Sequence, residues 1–289
     1  TPFKNGKVDR DAFARIVDWQ IKEGTSALVP VGTTGESPTL SHEEHKEVVA
    51  LCVEAAKKRV PVIAGTGSNN TAEVIDFAKH AKKAGADAQL VVTPYYNKTT
   101  QEGLYQHYKA LHDAVELPII IYNIPPRCVI DMSVETMARL AKLPRIVGVK
   151  DATGDLTRPL KTRLACGPKF SILSGDDGVA LATLAQSGDG CISVTSNIAP
   201  RLCADMHKAW QKGDFAAARK INELLMPLHE ALFVETSPAP VKWAASQLGL
   251  CSADVRLPMV HATESAQKRV RAAMEHVGLL PAKKAAAAE

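Results

Sequence analysis

Hydrophobic and polar positions form two alternating patterns along the chain. Short apolar runs rich in β-branched residues, typical of buried strands, are each followed by a longer segment whose apolar residues recur every three or four positions, as on one face of a helix. The runs lie at 27–31, 61–64, 89–92, 119–122, 146–150, 170–174 and 190–194. Because strands alternate with helices, we predict a parallel sheet with helices packed outside it.

Several helix boundaries are predicted from single residues. Asp9 is a helix-capping residue ahead of an amphipathic segment that ends at Gly24, and Ser41 and Glu44 have the spacing of a capping box. The strand pattern stops after about residue 213. Three further helical segments follow, near 214–230, 238–248 and 264–276. We therefore predict a C-terminal helical region over residues 214–289.

The repeated strand and helix pattern favours a closed barrel. Seven predicted strands are one fewer than a (β/α)8 barrel needs, and Thr1-Pro2 lies where a strand before the first helix would just have ended. An open doubly wound sheet is disfavoured, because Gly65-Thr66-Gly67 lacks the third glycine of a dinucleotide-binding turn. We predict an α/β fold of the TIM-barrel class over residues 1–213, with its first strand truncated or missing.

Composition and charge disfavour several classes of protein. The 35 basic and 31 acidic side chains give a net charge of +4 without a block of like charges, so nothing indicates a nucleic-acid partner. No apolar stretch approaches the roughly 20 residues that span a bilayer. The 6 cysteines are scattered, without a C-x-x-C pair, and we expect free thiols in a reducing, cytoplasmic compartment.

A lysine ends the apolar run Ile146-Val147-Gly148-Val149-Lys150, where a barrel would place its active site. Such an amine could extend to water or pair with Asp151. Alternatively, burial could favour its neutral, nucleophilic form, which makes a Schiff base with a carbonyl substrate. Because side chains alternate along a strand, Gly148 would lie on the same side as Lys150 and leave room for a substrate.

Hydroxyl groups lie at other predicted strand ends. They belong to Thr33, Thr34, Tyr95, Tyr96 and Tyr122. Tyrosine hydroxyls relayed by a threonine can carry the proton transfers that imine formation needs. Taken singly, the threonines could cap a turn and the tyrosines could be surface or core aromatics. No metal site is indicated, since Asp176-Asp177 lack partners at ligand spacing and His42 and His45 are not in the H-E-x-x-H arrangement.

Four motifs resemble those of one enzyme family. In chain order they are Gly32-Thr33-Thr34-Gly35-Glu36-Ser37, Pro94-Tyr95-Tyr96-Asn97, Tyr122-Asn123-Ile124-Pro125-Pro126-Arg127 and Val147-Gly148-Val149-Lys150-Asp151-Ala152-Thr153-Gly154. From residue 1 to about residue 280 the chain is similar to the dihydrodipicolinate synthases, also called 4-hydroxy-tetrahydrodipicolinate synthases. The resemblance implies a lyase with a class I aldolase-type mechanism. It would condense pyruvate with L-aspartate 4-semialdehyde, the first committed step of lysine biosynthesis by the diaminopimelate pathway.

The resemblance also implies roles for individual residues. Lys150 would hold pyruvate as an imine, with no metal or other cofactor. Tyr122 would shuttle protons through Thr33 to Tyr96, which in this family reaches into the neighbouring subunit's site, so a homotetramer built as a dimer of dimers is expected. The implied substrate-binding groups are Thr34 for the pyruvate carboxylate, Arg127 for the semialdehyde carboxylate, and backbone groups of Gly175 and Ile192 in the pocket wall.

A second site is implied for L-lysine as an inhibitor. Its residues are Ser37, Leu40, His42, His45, Asn69, Glu73 and Tyr95, at a subunit interface. Glu73 could meet an ammonium group, and the hydroxyl and amide groups a carboxylate. The alternative is a solvated helix face with His42 and His45 at the surface. Feedback inhibition would require two states that bind lysine with different affinity.

Other activities remain open at the level of sequence. N-acetylneuraminate lyase and 2-keto-3-deoxy sugar acid aldolases use the same lysine and tyrosine, and a binding protein could keep the barrel without the chemistry. Arg127 and the two threonines of the glycine turn favour the synthase, although Arg127 could instead pair with Asp131. The chain departs from the family at Pro126, at Asp151 and in its N-terminal strand, which is short or absent. None of these departures removes a catalytic group, but an unclosed barrel would expose two strand edges.

Overall fold

The protein, examined as a computed structural model that describes residues 1–281, is built from eight strands and twelve helices within that range. The strands are β1 (Phe3–Lys4), β2 (Lys7–Val8), β3 (Ile63–Gly65), β4 (Ala88–Val92), β5 (Ile119–Asn123), β6 (Ile146–Asp151), β7 (Ser171–Ser174) and β8 (Gly190–Cys191). The helices are α1 (Arg10–Lys22), α2 (His42–Ala56), α3 (Thr71–Ala84), α4 (Gln101–Ala114), α5 (Pro125–Cys128), α6 (Val134–Leu140), α7 (Arg158–Cys166), α8 (Ala180–Ala185), α9 (Pro200–Gln211), α10 (Phe215–Ala231), α11 (Ala239–Gln247) and α12 (Glu264–His276).

A parallel sheet holds the strands β3 to β8 in chain order. The segment 27–31 extends this sheet, since Leu28 forms a parallel bridge with Val62 and Gly65 N donates to the carbonyl oxygen of Pro30. Strands β1 and β2 form a separate antiparallel pair. The predicted TIM-barrel class with C-terminal helices is confirmed. Within residues 1–281 the segment 27–31 and β8 are the two edges of the sheet, and no eighth barrel strand joins them.

Two predicted strands are shorter than expected. The run 190–194 is a strand only over Gly190–Cys191, and the segment 27–31 pairs through a single bridge. That segment ends early because Val31 adopts a φ of 51°, in the left-handed region, and so leaves the extended conformation.

The predicted helix caps are confirmed. Asp9 accepts a hydrogen bond from Ala12 N at the start of α1, and Ser41 and Glu44 form a reciprocal capping box on α2.

The three predicted C-terminal helices are α10, α11 and α12, and α10 packs on both α9 and α12. Residues 282–289 of the predicted C-terminal region lie outside the described residues. In the part of the chain that the structure covers, no helix combines the length and apolar character needed to cross a membrane.

Alternation along the strands separates two apolar layers. Ile119 and Ile121 of β5 pack in the large cluster between the sheet and its helices, whereas Ile120 and Tyr122 pack in a smaller cluster inside the sheet's curve. The same alternation places Val149 in the outer layer. Lys150, the next residue along β6, is therefore directed inward, beside Tyr122.

Candidate active site

The amine of Lys150 lies against the ring of Tyr122. The two residues are register partners on β6 and β5, and the Lys150 Nζ atom is 4.1 Å from the centroid of the Tyr122 ring. Lys150 is 9% exposed and Tyr122 is 5% exposed. The alternative that this lysine extends to bulk water is therefore wrong.

Asp151 does not pair with Lys150. As the next residue on β6 it lies on the opposite face of the strand, where its Oδ1 accepts hydrogen bonds from Thr153 N at 2.8 Å and Thr153 Oγ1 at 2.7 Å. Within residues 1–281, Lys150 forms no ion pair. Its amine thus faces the interior of the barrel without a carboxylate beside it.

Two glycines near Lys150 are required by packing, for different reasons. A Cβ on Gly175 would lie 3.1 Å from Cε of Lys150 and 2.8 Å from Cβ of Ala152, so this glycine leaves room for the lysine side chain. A Cβ on Gly148 would lie 2.6 Å from the carbonyl oxygen of Ser171. The expectation that Gly148 makes space for a substrate is therefore wrong, because that glycine lets β6 and β7 approach each other.

A cavity of about 520 Å³ surrounds the amine. It brings together the predicted residues Thr33, Thr34, Tyr122, Arg127, Lys150, Gly175 and Ile192. One predicted catalytic residue is not among them. The Tyr96 side chain is 90% exposed, on a residue with a φ of 67°, and it lines neither this cavity nor the neighbouring one.

The glycine turn that carries Thr33 and Thr34 is strained at both ends. Val31 and Glu36 have φ values of 51° and 57°, and a left-handed conformation is a genuine outlier for a β-branched residue such as Val31. Gly65 allows this turn to approach β3, since a Cβ there would lie 2.5 Å from the carbonyl oxygen of Val31. Such strain is concentrated at functional sites, where the surrounding structure holds it in place.

Arg127 is exposed at the rim of the cavity. The acid proposed as its alternative partner, Asp131, is already engaged: it accepts from Arg158 Nη1 at 2.8 Å and from Asn123 Nδ2 at 2.7 Å. The predicted alternative of an Arg127 to Asp131 pair is therefore wrong. Among residues 1–281 no acid pairs with the Arg127 guanidinium group, which leaves it available to an anion.

A second cavity of about 340 Å³ adjoins the first and shares its walls at Gly32, Thr33, Tyr122 and Arg127. Six of the seven residues predicted for lysine line it: Ser37, Leu40, His42, His45, Glu73 and Tyr95. Asn69 is not on its wall, and its backbone oxygen accepts a hydrogen bond from Asn97 Nδ2 at 3.0 Å. The two predicted sites are thus neighbours within one subunit.

His45 is not a surface residue. It is 3% exposed and stacks on Phe77, with ring centroids 4.1 Å apart. Its Nε2 lies 2.8 Å from the carbonyl oxygen of Gly65, which can only accept, so Nε2 carries the hydrogen and Nδ1 accepts from the Ser37 hydroxyl at 3.2 Å. Burial lowers the pKa of His45 to about 4, which keeps the ring neutral. Of the two histidines, only the exposed His42 fits the alternative of a solvated helix face.

The acidic pair after β7 supports the fold around the site. The buried Asp177 carboxylate accepts from the backbone N–H groups of Val194 at 2.7 Å and Thr195 at 3.1 Å, and Asp176 Oδ1 accepts from Gly178 N at 2.9 Å. The bonds of Asp177 fix the loop that follows β8. Within residues 1–281, no group of three or more His, Cys, Asp or Glu side chains is arranged to hold a metal ion.

Sequence reasoning missed a polar network behind Tyr122 and Lys150. Asn123 and Asp151 directly follow Tyr122 and Lys150, and strand alternation places both on the outer face, where Asn123 is bonded to Asp131. Arg158 joins these groups, with Nη1 2.8 Å from Asp131 and Nε 3.7 Å from Asp151 Oδ2. The available signal was the position of each polar residue immediately after a predicted catalytic residue. Sequence reasoning also missed the buried carboxylate of Glu36, which pairs with Lys242.

Comparisons with known proteins agree with this geometry. The model of the dihydrodipicolinate synthetase family matches residues 1–277. A 4-hydroxy-tetrahydrodipicolinate synthase from Rhodospirillum centenum is 67% identical over 280 residues, covering 97% of this chain and 96% of the relative. This similarity confirms the predicted assignment as an enzyme.

Two solved structures are closely similar. The chloride-inhibited dihydrodipicolinate synthase of Acinetobacter baumannii, complexed with pyruvate, has a TM-score of 0.95 and 47% identity, covering 97% of each chain. The enzyme of Cyanidioschyzon merolae with lysine bound has a TM-score of 0.94 and 39% identity, covering 97% of this chain and 96% of that one. The chain belongs to the dihydrodipicolinate synthetase family.

Proposed function

We propose that the protein condenses pyruvate with L-aspartate 4-semialdehyde to give 4-hydroxy-tetrahydrodipicolinate, an early step of lysine biosynthesis. The observation that carries this proposal is the inward amine of Lys150, 4.1 Å from the Tyr122 ring in a cavity that also holds hydroxyl and guanidinium groups. The relative from Rhodospirillum centenum has this activity in its name, and the related Acinetobacter baumannii enzyme is complexed with pyruvate.

Imine formation begins the reaction. The Lys150 amine adds to the keto carbon of pyruvate, and the carbinolamine loses its hydroxyl group as water after receiving a proton from Tyr122. Thr34, on the glycine turn, binds the pyruvate carboxylate. Thr33 relays the proton that resets the tyrosine. The chain's own amine activates the ketone, so this scheme uses no metal ion or other cofactor.

Carbon–carbon bond formation follows. Loss of a proton from the pyruvate methyl group gives an enamine, whose carbon attacks the aldehyde carbon while the aldehyde oxygen takes up a proton. The amino group of the semialdehyde then attacks the imine carbon, closes the ring and releases the Lys150 amine. Arg127 holds the semialdehyde carboxylate with its planar pair of donors, which suits its place at the cavity rim.

In this proposal, a tyrosine from a neighbouring subunit completes the proton relay. Tyr96 is almost fully exposed and lies away from the cavity of its own chain, yet its backbone is held in a left-handed conformation. We infer that its hydroxyl enters the cavity of a neighbouring subunit, in a homotetramer built as a dimer of dimers. A side chain held outward in this way is suited to contact another copy.

The second cavity is the proposed site for L-lysine as a feedback inhibitor. Glu73 supplies a carboxylate for an ammonium group, and the Ser37 hydroxyl would turn from His45 Nδ1 to donate to the amino acid's carboxylate. The Cyanidioschyzon merolae relative is described with lysine bound. Turnover in the presence of L-lysine tests this site, with loss of inhibition expected in Glu73→Gln and retained in the exposed control Glu54→Gln.

Reduction with borohydride in the presence of pyruvate tests the proposed chemistry. The wild-type chain should gain a covalent adduct on Lys150, and Lys150→Ala should gain none. Lys242 is an internal control, since it is also buried and lines the same cavity but is paired with Glu36. Peptide mapping that finds Lys150 unmodified, or Lys242 modified instead, would contradict the proposal.

Product analysis separates the synthase from related aldolases. Another pyruvate aldolase would give the same adduct, so turnover with aspartate semialdehyde is compared with turnover of sialic acid and of keto-sugar acids. The free Arg127 guanidinium favours the semialdehyde, because that substrate presents a second carboxylate. Cleavage of sialic acid or a sugar acid in preference would assign the alternative.

A further inference from the structure

A buried ion pair lies at the base of the glycine turn. Glu36 is 2% exposed and Lys242, in α11, is 6% exposed. The Lys242 Nζ atom is 2.5 Å from Glu36 Oε2, and the other carboxylate oxygen accepts from the backbone N–H of Arg256 at 3.0 Å. Burial lowers the pKa of Lys242, and its hydrogen bond to Glu36 opposes that change. The turn is therefore attached to a helix 206 residues away in the sequence.

Arg256 provides a second attachment for the same segment. Its guanidinium group makes two hydrogen bonds to Glu44, of 2.6 and 2.7 Å, and one to the backbone oxygen of Thr39 at 2.9 Å. The buried ring of Phe3 contacts both cations, with the Lys242 Nζ and Arg256 Cζ atoms 4.1 and 4.2 Å from its centroid. Both ends of the segment 36–44 are thus fixed by the C-terminal helical region.

The conformation held by this cluster is unfavourable for the isolated residue. Glu36 has φ and ψ of 57° and 37°, a left-handed conformation in which Cβ crowds the neighbouring carbonyl oxygen. Its N–H closes the turn by donating to the carbonyl oxygen of Thr33 at 3.1 Å. If Glu36 relaxed to an ordinary backbone conformation, the Thr33 and Thr34 groups that line the cavity would move.

We propose that Lys242 is a positioning residue for substrate binding: by holding the Glu36 carboxylate, it keeps Thr34 where it receives the carboxylate of a keto acid and Thr33 where it relays a proton. The identity of that keto acid as pyruvate rests on the proposed function. Lys150 and Tyr122 lie on β6 and β5, outside the segment 36–44. Removing Lys242 should therefore weaken binding and disturb the Thr33 relay while Lys150 and Tyr122 stay in place.

Borohydride trapping across a range of pyruvate concentrations tests the proposal. In Lys242→Met the concentration that gives half-maximal adduct, and KM for pyruvate, should rise about tenfold, and kcat at saturation should also fall because Thr33 of the proton relay moves with the turn. Lys242→Arg keeps the charge and should restore most of the affinity. The double variant Glu36→Gln with Lys242→Met has no unpaired buried carboxylate. It should recover stability but not affinity.

Arg163→Met is the matched control for lost stability. Arg163 pairs with Asp189 at 2.7 Å near the N-terminal ends of β7 and β8, away from the glycine turn. This variant should lower the unfolding midpoint and leave the pyruvate dependence unchanged. A Lys242→Met variant with normal pyruvate dependence and only a smaller active fraction would overturn the positioning role. A wild-type chain that forms no adduct would overturn the proposed function, and this inference with it.

Discussion

Close packing against the Lys150 side chain makes Gly175 a sensitive position. The φ of Gly175 is outside the left-handed region, so a substitution there is opposed by contacts with Lys150 and Ala152 rather than by backbone conformation. Gly175→Ala should lower kcat at least roughly tenfold, because misplacing a reacting group by about 1 Å can cost about a hundredfold. Steady-state kinetics and the rate of adduct formation on Lys150 measure the effect.

Gly178→Ala is the matched control for that substitution. It lies three residues further on, and its added Cβ would meet Asp176 Oδ1 at an ordinary contact distance of 3.4 Å. Near-normal kinetics are expected for this control. Normal adduct formation in Gly175→Ala would show that the lysine tolerates displacement and that the close packing is not functionally important.

The neutral ring of His45 makes stability dependent on pH. Its pKa falls from 6.5 to about 4 through burial, so between these values the unfolded chain binds more protons than the folded one. The stabilisation is complete above about pH 6.5 and is lost as pH falls towards 4, with a slope of up to about 1.4 kcal/mol per pH unit. Urea unfolding at several pH values should show a shallower slope in His45→Gln than in wild type.

The exposed His42 on the same helix provides the comparison for His45. His42→Gln should leave the pH dependence of unfolding unchanged. His107, His207 and His229, whose pKa values burial also lowers, remain in both variants and contribute to the residual slope. Equal slopes for His45→Gln and His42→Gln would show that His45 is protonated equally in both states.

At the scale of elements, the ends of β5 and β6 are joined behind Tyr122 and Lys150 by Arg158 and Asp131. Arg158→Met leaves the Asp151 and Asp131 carboxylates without their cation, and loss of one partner from a buried pair typically costs about 3–5 kcal/mol. We expect a loss at the lower end of that range, because the Asp131 side chain is 47% exposed. Denaturant unfolding measures it.

An exposed ion pair of equal length isolates the effect of burial. Arg139 and Glu102 are also 2.8 Å apart, but their side chains are 46% and 56% exposed, against 10% for Arg158. Arg139→Met should change stability by less than about 1 kcal/mol. A similar loss from both substitutions would show that burial of Arg158 does not determine its contribution.

Periodicity predicted the elements well because strand alternation and helix caps are local properties. The inward direction of Lys150 and Tyr122 follows from period two, and the caps at Asp9 and Ser41 follow from a single residue each. The role of Gly148 could not be read in this way, since the clash that excludes a side chain involves Ser171 on the next strand. Contacts between distant segments, such as Glu36 with Lys242, leave no periodic signal.

At the scale of the whole molecule, the two cavities form one connected region. They share Gly32, Thr33, Tyr122 and Arg127, and the turn between them is fixed by the C-terminal helices through Glu36. A ligand in the second cavity that shifts the turn would alter the first cavity as well. By linkage, L-lysine and pyruvate would then weaken or strengthen each other's binding by the same factor.

Subunit complementation tests whether Tyr96 acts across an interface. Tyr96→Phe lacks the proposed relay hydroxyl and Lys150→Ala lacks the proposed nucleophile, so each variant alone should be nearly inactive. In a mixed dimer, the Tyr96→Phe chain keeps its lysine and receives an intact tyrosine from the Lys150→Ala partner. Dissociation and random reassociation of equal amounts should restore about a quarter of wild-type activity, because half of the dimers are mixed and each has one complete site. If each Tyr96 serves its own chain, mixing cannot restore any activity, and the relay would have to close within one subunit.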